Sequence, residues 1–98
     1  MSNFIIEIAT FKLKEGVSPA DFLPFDKEVE EKLVSKNHGF ISRQSSATED
    51  GEWVAIVHWE TLEDVDASMA SFADSPAAAG FMANLQPETM SMKRHIAN

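Results

Sequence analysis

Apolar residues occupy both alternating sets of positions in two short stretches of this chain. In Phe4-Ile5-Ile6-Glu7-Ile8-Ala9-Thr10-Phe11-Lys12-Leu13 the odd positions carry Ile5, Ala9, Phe11 and Leu13, and the even ones Phe4, Ile6 and Ile8. Trp53-Val54-Ala55-Ile56-Val57-His58-Trp59 is apolar on both sets as well. A strand with two apolar faces is covered on both. The remaining segments supply helices for one side only, so the other side is expected to meet a second copy of the chain.

The order of elements reads β-α-β-β-α-β. A first strand is predicted from about Asn3 to Lys14, ending at Glu15-Gly16. Ser18-Pro19-Ala20-Asp21 then starts a helix, with a Ser cap, Pro at the first helical position and an acid at the third. Phe22, Phe25, Val29 and Leu33 follow at spacings of three and four and are read as its buried stripe. Pro24 is expected to kink or restart it. His38-Gly39 marks its end, with His38 expected to meet the terminal carbonyls. A second strand, Phe40 to Thr48, turns through Glu49-Asp50-Gly51 into a third, Glu52 to Trp59. Thr61 caps a second helix with Leu62, Val65, Met69 and Phe72 as its stripe. Ser75-Pro76 opens a short extra helix carrying Phe81 and Leu85, which Pro87 is expected to close. The last strand is placed from about Glu88 to Ile96. A hairpin between two helical crossovers is the ferredoxin-like split βαβ pattern, an α+β fold with a four-stranded antiparallel sheet and helices on one face.

At 98 residues this is expected to be one domain spanning 1–98, with a core small enough to gain from oligomerisation. A formal net charge of -8 argues against nucleic acid and anionic membrane surfaces as partners, since both attract clustered Lys and Arg. The absence of cysteine removes disulfides, thiol nucleophiles and thiolate metal ligands. No apolar run approaches the roughly 20 residues that span a bilayer, and no secretory signal pattern is seen at the start, so a cytoplasmic location is expected.

The run Glu7-Ile8-Ala9-Thr10-Phe11-Lys12-Leu13-Lys14-Glu15-Gly16-Val17 resembles the opening of dimeric α+β barrel proteins, the superfamily of the antibiotic biosynthesis monooxygenases. So do Gly39-Phe40-Ile41-Ser42-Arg43, Asp50-Gly51-Glu52-Trp53 and His58-Trp59-Glu60-Thr61. The resemblance covers nearly the whole chain, and its motifs are chiefly structural. It implies two sheets packed face to face and a ligand pocket inside each subunit, between sheet and helices. It also implies a choice among cofactor-free monooxygenases of aromatic polyketides, haem-degrading enzymes, dechlorinating isomerases and proteins without an assigned role, which fold alone does not make. The position that aligns with the strand Asn of haem-degrading members is Ala9. Where those members carry a late His, this chain reads Ala77-Ala78-Ala79-Gly80-Phe81-Met82. Only Trp59 matches, so haem degradation is not expected.

Four polar residues interrupt the strands: Glu7, Arg43, His58 and His95. A buried carboxylate costs several kcal/mol unless paired. If the first and third strands are the central pair, Glu7 and His58 become lateral neighbours, an acid and a base suited to proton abstraction beside a carbonyl, with Arg43 holding an oxyanion. These three are the candidate catalytic residues. Trp59, His95, Phe81 and Met82 are the candidate substrate-binding residues, Trp59 at the pocket mouth. The bland alternative is a salt-bridged network that holds sheet register or the dimer interface. The acidic run Asp26, Glu28, Glu30 and Glu31 reads as a solvated helix face. Three histidines without His-x-His or His-Glu-x-x-His spacing make a metal site unexpected, with His58, His95 and Glu7 as the residual trio. The expected function is a cofactor-free monooxygenase or related enzyme acting on an apolar, aromatic molecule. The alternative is a non-catalytic ligand-binding or structural dimer of the same fold.

Overall fold

The computed structural model describes residues 4–97, so Asn3, the first residue of the expected opening strand, lies outside the described residues. Strands β1 (Ile5–Leu13), β2 (Phe40–Ala47), β3 (Glu52–Trp59) and β4 (Leu85–Ile96) form one antiparallel sheet in the order β2-β3-β1-β4. Helices α1 (Pro19–Lys32), α2 (Leu62–Ser71) and α3 (Pro76–Ala83) complete the expected α+β architecture, with short single turns of 3-10 helix after α1 and α2. No described helix is long and apolar enough to cross a membrane.

Strand alternation decides what each face of the sheet carries. In β1, Ile5, Glu7, Phe11 and Leu13 are buried, and in β3 so are Trp53, Ala55, Val57 and Trp59. Apart from Glu7 and Ala55, these residues form the core with Phe22 and Val29 of α1, Val65 of α2, and Ala78 and Phe81 of α3. Aromatic edges meet faces at its centre: Phe22 packs against Trp53 at 4.9 Å between ring centroids, and Phe11 against Phe81 at 5.4 Å. On the opposite face Ile6, Ile8, Val54 and Ile56 are only half-buried.

The helices are caps and stripes, with corrections. Ser18 and Asp21 close a reciprocal capping box on α1, and the helix continues through Pro24 as one element. Its buried positions are Phe22, Asp26 and Val29, whereas Phe25 is exposed. On α2 the buried positions are Asp64, Val65 and Ser68, while Leu62 and Met69 are exposed. Each helix buries an acid that has found partners, Asp26 or Asp64, which a purely apolar stripe does not register. Pro87 does not close a helix. It lies within β4, where the pairing with β1 shifts register between Thr10 and Lys12. An edge strand tolerates the missing N–H there. Thr89 Oγ1 accepts from Lys12 N at 2.9 Å, and Gln86 Nε2 donates to Leu13 O at 2.8 Å, so side chains restore what the irregularity removes.

His38 meets the start of α2, not the carbonyls ending α1. Its Nδ1 lies 2.8 Å from Asp64 Oδ1, while Thr61 Oγ1 donates to Asp64 Oδ2 at 2.9 Å. Gly39 carries a φ of 81°, and a Cβ there would overlap the Asp64 carboxylate. Glycine is required twice over, by conformation and by space. Gly39→Ala is expected to lower stability by at least about 2 kcal/mol in urea unfolding, against about 1 kcal/mol for Gly16→Ala, which faces open space. Equal losses would show that Asp64 moves aside freely.

Candidate functional site

Small side chains leave room in the middle of the helix-facing side of the sheet. Ala9 and Ala55 are register partners there, flanked by Val57, Glu7 and Met92. Above them α2 and its continuation contribute Ser68, Met69, Phe72 and Ala73, and α3 contributes Phe81 and Met82. The result is a cavity of about 380 Å³ between sheet and helices, also lined by Arg43, Trp59 and Met90. Its walls are apolar and methionine-rich, adaptable to ligand shape. That volume lies in the range of small-molecule sites.

One row of the sheet carries the charge. Arg43, Val57, Glu7 and Arg94 stand opposite one another across β2, β3, β1 and β4. Glu7 is buried, and Trp59 Nε1 donates to its Oε1 at 3.0 Å. Burial raises the Glu7 carboxyl above its ordinary range, while the Trp59 hydrogen bond and the charges of Arg94 and Arg43 oppose the rise. Trp59 itself is fully buried, so it does not stand at a pocket mouth: it lines the cavity from within and holds the carboxyl.

Arg43 is committed elsewhere. Its Nη1 and Nη2 donate to the two carboxylate oxygens of Asp26 at 3.0 and 2.7 Å, and Nη1 also reaches Glu30 at 3.2 Å. Ser45 Oγ adds a fourth bond, to Asp26 Oδ2 at 2.7 Å. With only 3% of either side chain exposed, the Arg43–Asp26 pair is a tie between β2 and α1. Asp26 is therefore not part of a solvated acidic face, while Glu30, 38% exposed, reaches the guanidinium from the edge of that face.

His58 and His95 are not neighbours of Glu7. Each pairs with Ile6, one residue away along β1, and pleating sends adjacent residues to opposite faces. Both histidines therefore stand on the side away from the cavity, in a row Ser42–His58–Ile6–His95. There His58 Nδ1 lies 3.2 Å from Ser42 Oγ, and its ring tilts against Phe4 at 5.5 Å. The residual metal trio is split by the sheet, and no cluster of three or more His, Asp or Glu is found among the described residues. Of the seven residues singled out in the sequence, the cavity brings together Glu7, Arg43, Trp59, Phe81 and Met82. It also includes Ser68 and the wall residues Ala9 and Ala55, whose only sequence signal is a small side chain between large ones on one strand face.

The raised Glu7 carboxyl has a consequence for folding. A group whose folded value exceeds its unfolded one favours the native state at low pH and withdraws that contribution as pH rises through the folded value. Glu7→Gln removes this penalty while keeping shape and hydrogen bonding. Its stability relative to the parent, followed by urea midpoints from pH 4 to pH 8, is expected to improve steadily with pH. A loss of several kcal/mol at pH 8 would instead assign Glu7 to a structural ion pair.

No protein-family model matches the sequence, and no curated protein resembles it in sequence at a significant level. Solved structures do match in shape. SnoaB, a cofactor-independent oxygenase from Streptomyces nogalater, superposes with a TM-score of 0.80 at 16% identity, over 99% of this chain and 95% of that one. A candidate antibiotic biosynthesis monooxygenase from Bordetella bronchiseptica gives 0.72 at 16% identity, covering 96% of each. A conserved protein from Methanosarcina mazei gives 0.75 at 13% identity, over 98% of this chain and 94% of that one. At such identities it is the fold that is shared: this chain has the four-stranded antiparallel α+β fold of these structures.

Proposed function

We propose that this protein is a cofactor-independent monooxygenase acting on an apolar, aromatic small molecule in the cavity between sheet and helices. The observation that carries the reading is Glu7: a single buried carboxyl in an apolar chamber, anchored through one oxygen by Trp59 and raised above its ordinary range by desolvation. Such a group is suited to accept a proton from a carbon acid, and the anchoring leaves its other oxygen for the ligand. The likeness to an oxygenase of the same fold supports the choice of reaction.

In this scheme Glu7 takes a proton from a methylene carbon made acidic by flanking rings. The carbanion passes its electron pair to dioxygen, forming a carbon–oxygen bond and, after proton return from Glu7, a hydroperoxide. Loss of water then leaves a ketone, with one oxygen atom in the product and one in water. Phe72, Phe81 and the methionines enclose the planar rings, and Trp59 keeps the carboxyl aimed. Arg43 acts at a distance, by fastening α1 to the sheet.

The second part of the proposal is a homodimer. Ile6, Ile8, Val54 and Ile56 form an apolar centre on the face without helices, rimmed by Ser42, Gln44, Ser46, Ser91 and Lys93. An apolar centre with a polar rim fits an isologous sheet-to-sheet contact. Ile56→Glu is expected to convert the dimer to monomer in sedimentation equilibrium. A parent protein that is already monomeric at micromolar concentration refutes the contact.

Dithranol, a tricyclic anthrone with an acidic methylene, tests the chemistry. Oxygen uptake matched one to one by anthraquinone formation is expected. Glu7→Gln should slow it by at least about 100-fold, the usual contribution of a general base. Ala9→Phe, which fills the floor of the cavity, should abolish binding. Dithranol bound in the cavity without oxygen uptake would leave a ligand-binding dimer as the function.

A further inference from the structure

The site described above has a base but no evident partner for negative charge, since Arg43 is satisfied by two carboxylates. The other cation on the same row is Arg94, and its circumstances differ in three respects. It is the cross-strand partner of Glu7 on β4. Its Nη2 lies 2.7 Å from Asp66 Oδ1 and 3.1 Å from the sulfur of Met69, which is a cavity residue. Its side chain is 35% exposed and that of Asp66 65%, so the pair is water-screened, whereas Arg43 and Asp26 are each 3% exposed. A water-screened pair contributes little to stability, which makes Asp66 an exchangeable partner. Met92, two residues earlier on the same strand face, belongs to the cavity wall as well. Arg94 thus stands at the boundary between the cavity and solvent, between β4 and α2.

We propose that Arg94 is the anion-recognising residue of this cavity, exchanging Asp66 for an acidic oxygen on a bound ligand and so fixing the ligand's charged end beside Glu7. The inference rests on the reading that the cavity is the ligand site, and it adds a ligand class: an apolar ring system bearing one anionic or readily ionised oxygen. Lys93 does not compete for this role, because it pairs with Ile8 on the other face of the sheet. Neither does Lys12, placed beyond the irregularity opposite Gln86. A planar guanidinium binds an oxyanion in a fixed fork, and in the meantime its Nη2 rests against the Met69 sulfur. Arg94 is a positioning residue in this account. It orients the ligand and stabilises charge that develops when Glu7 removes a proton.

Two fluorescent probes of similar shape separate the possibilities: 8-anilinonaphthalene sulfonate, which is anionic, and N-phenylnaphthylamine, which is neutral. Binding of each is measured by titration on the parent, Arg94→Gln, Arg94→Lys and Asp66→Asn, with Ala9→Phe reporting whether the signal comes from the cavity. Loss of a charge-assisted hydrogen bond predicts that Arg94→Gln weakens the sulfonate about tenfold while the neutral probe changes less than about twofold. Arg94→Lys should recover part of the loss, and Asp66→Asn, which frees the guanidinium, should tighten the sulfonate only. Equal weakening of both probes by Arg94→Gln would make Arg94 a packing residue and overturn the proposal, leaving the cavity reading intact. Indifference of the sulfonate to both Arg94→Gln and Asp66→Asn would overturn it in the same way. If the fluorescence of both probes were unchanged by Ala9→Phe, the cavity itself would not be the site, and both readings would fall together.

Discussion

Antiparallel register between β1 and β3 is the constraint on which the rest of the molecule depends. It pairs Glu7 with Val57, Ala9 with Ala55 and Phe11 with Trp53, and so places one carboxyl, two small residues and two large aromatics in sequence along the helix-facing side. The pairs meet α1 through Phe22 and α3 through Phe81. A slip of one residue would exchange this set for Ile6, Ile8 and Thr10 and send the carboxyl to the other face. The cavity is consequently a product of register: its floor is low where two alanines meet and its ends are stopped by Trp59 and Phe11.

Charge on this face is sorted by how deeply each cation is buried. Arg43 is enclosed and has two carboxylates and no freedom, as the cost of an unpaired buried charge requires. Arg94 is at the rim, with one exposed acid and a thioether for company. Glu7 lies between them with a neutral donor, Trp59, as its direct partner. An indole N–H fixes the carboxyl in place without holding it in the ionised form as firmly as a guanidinium would. The carboxyl is therefore oriented by a neutral donor and not by an ion pair.

The two faces of the sheet divide the labour of the chain. On one, helices enclose an apolar chamber that holds one buried carboxyl, Glu7. On the other, a small aliphatic centre is bordered by serines, a glutamine, a lysine and two histidines from neighbouring and edge strands. His58 and His95 belong to that second face, on the side away from the cavity. The connection between the faces is the backbone of β1, in which Glu7 and Ile6 are consecutive.

Much of this was legible in the sequence because it follows from local rules. Alternation placed the strands, Ser18-Pro19 and Thr61 announced the helices, and the hairpin at Asp50-Gly51 set the order that leads to a split βαβ sheet. Glu7 was conspicuous as a lone carboxylate among apolar neighbours. Other features were out of reach because they depend on partners distant along the chain. Asp26 looks like one acid of a surface run until Arg43 arrives from β2, 17 positions later, to bury it. Glu7 and His58 both belong to the central strands, and only the pairing of His58 with Ile6 reveals that they face opposite ways. Composition and periodicity decide what a strand or helix is; which side chains meet across the sheet is decided by register and packing, since a shift of one residue changes every contact while leaving the local pattern untouched.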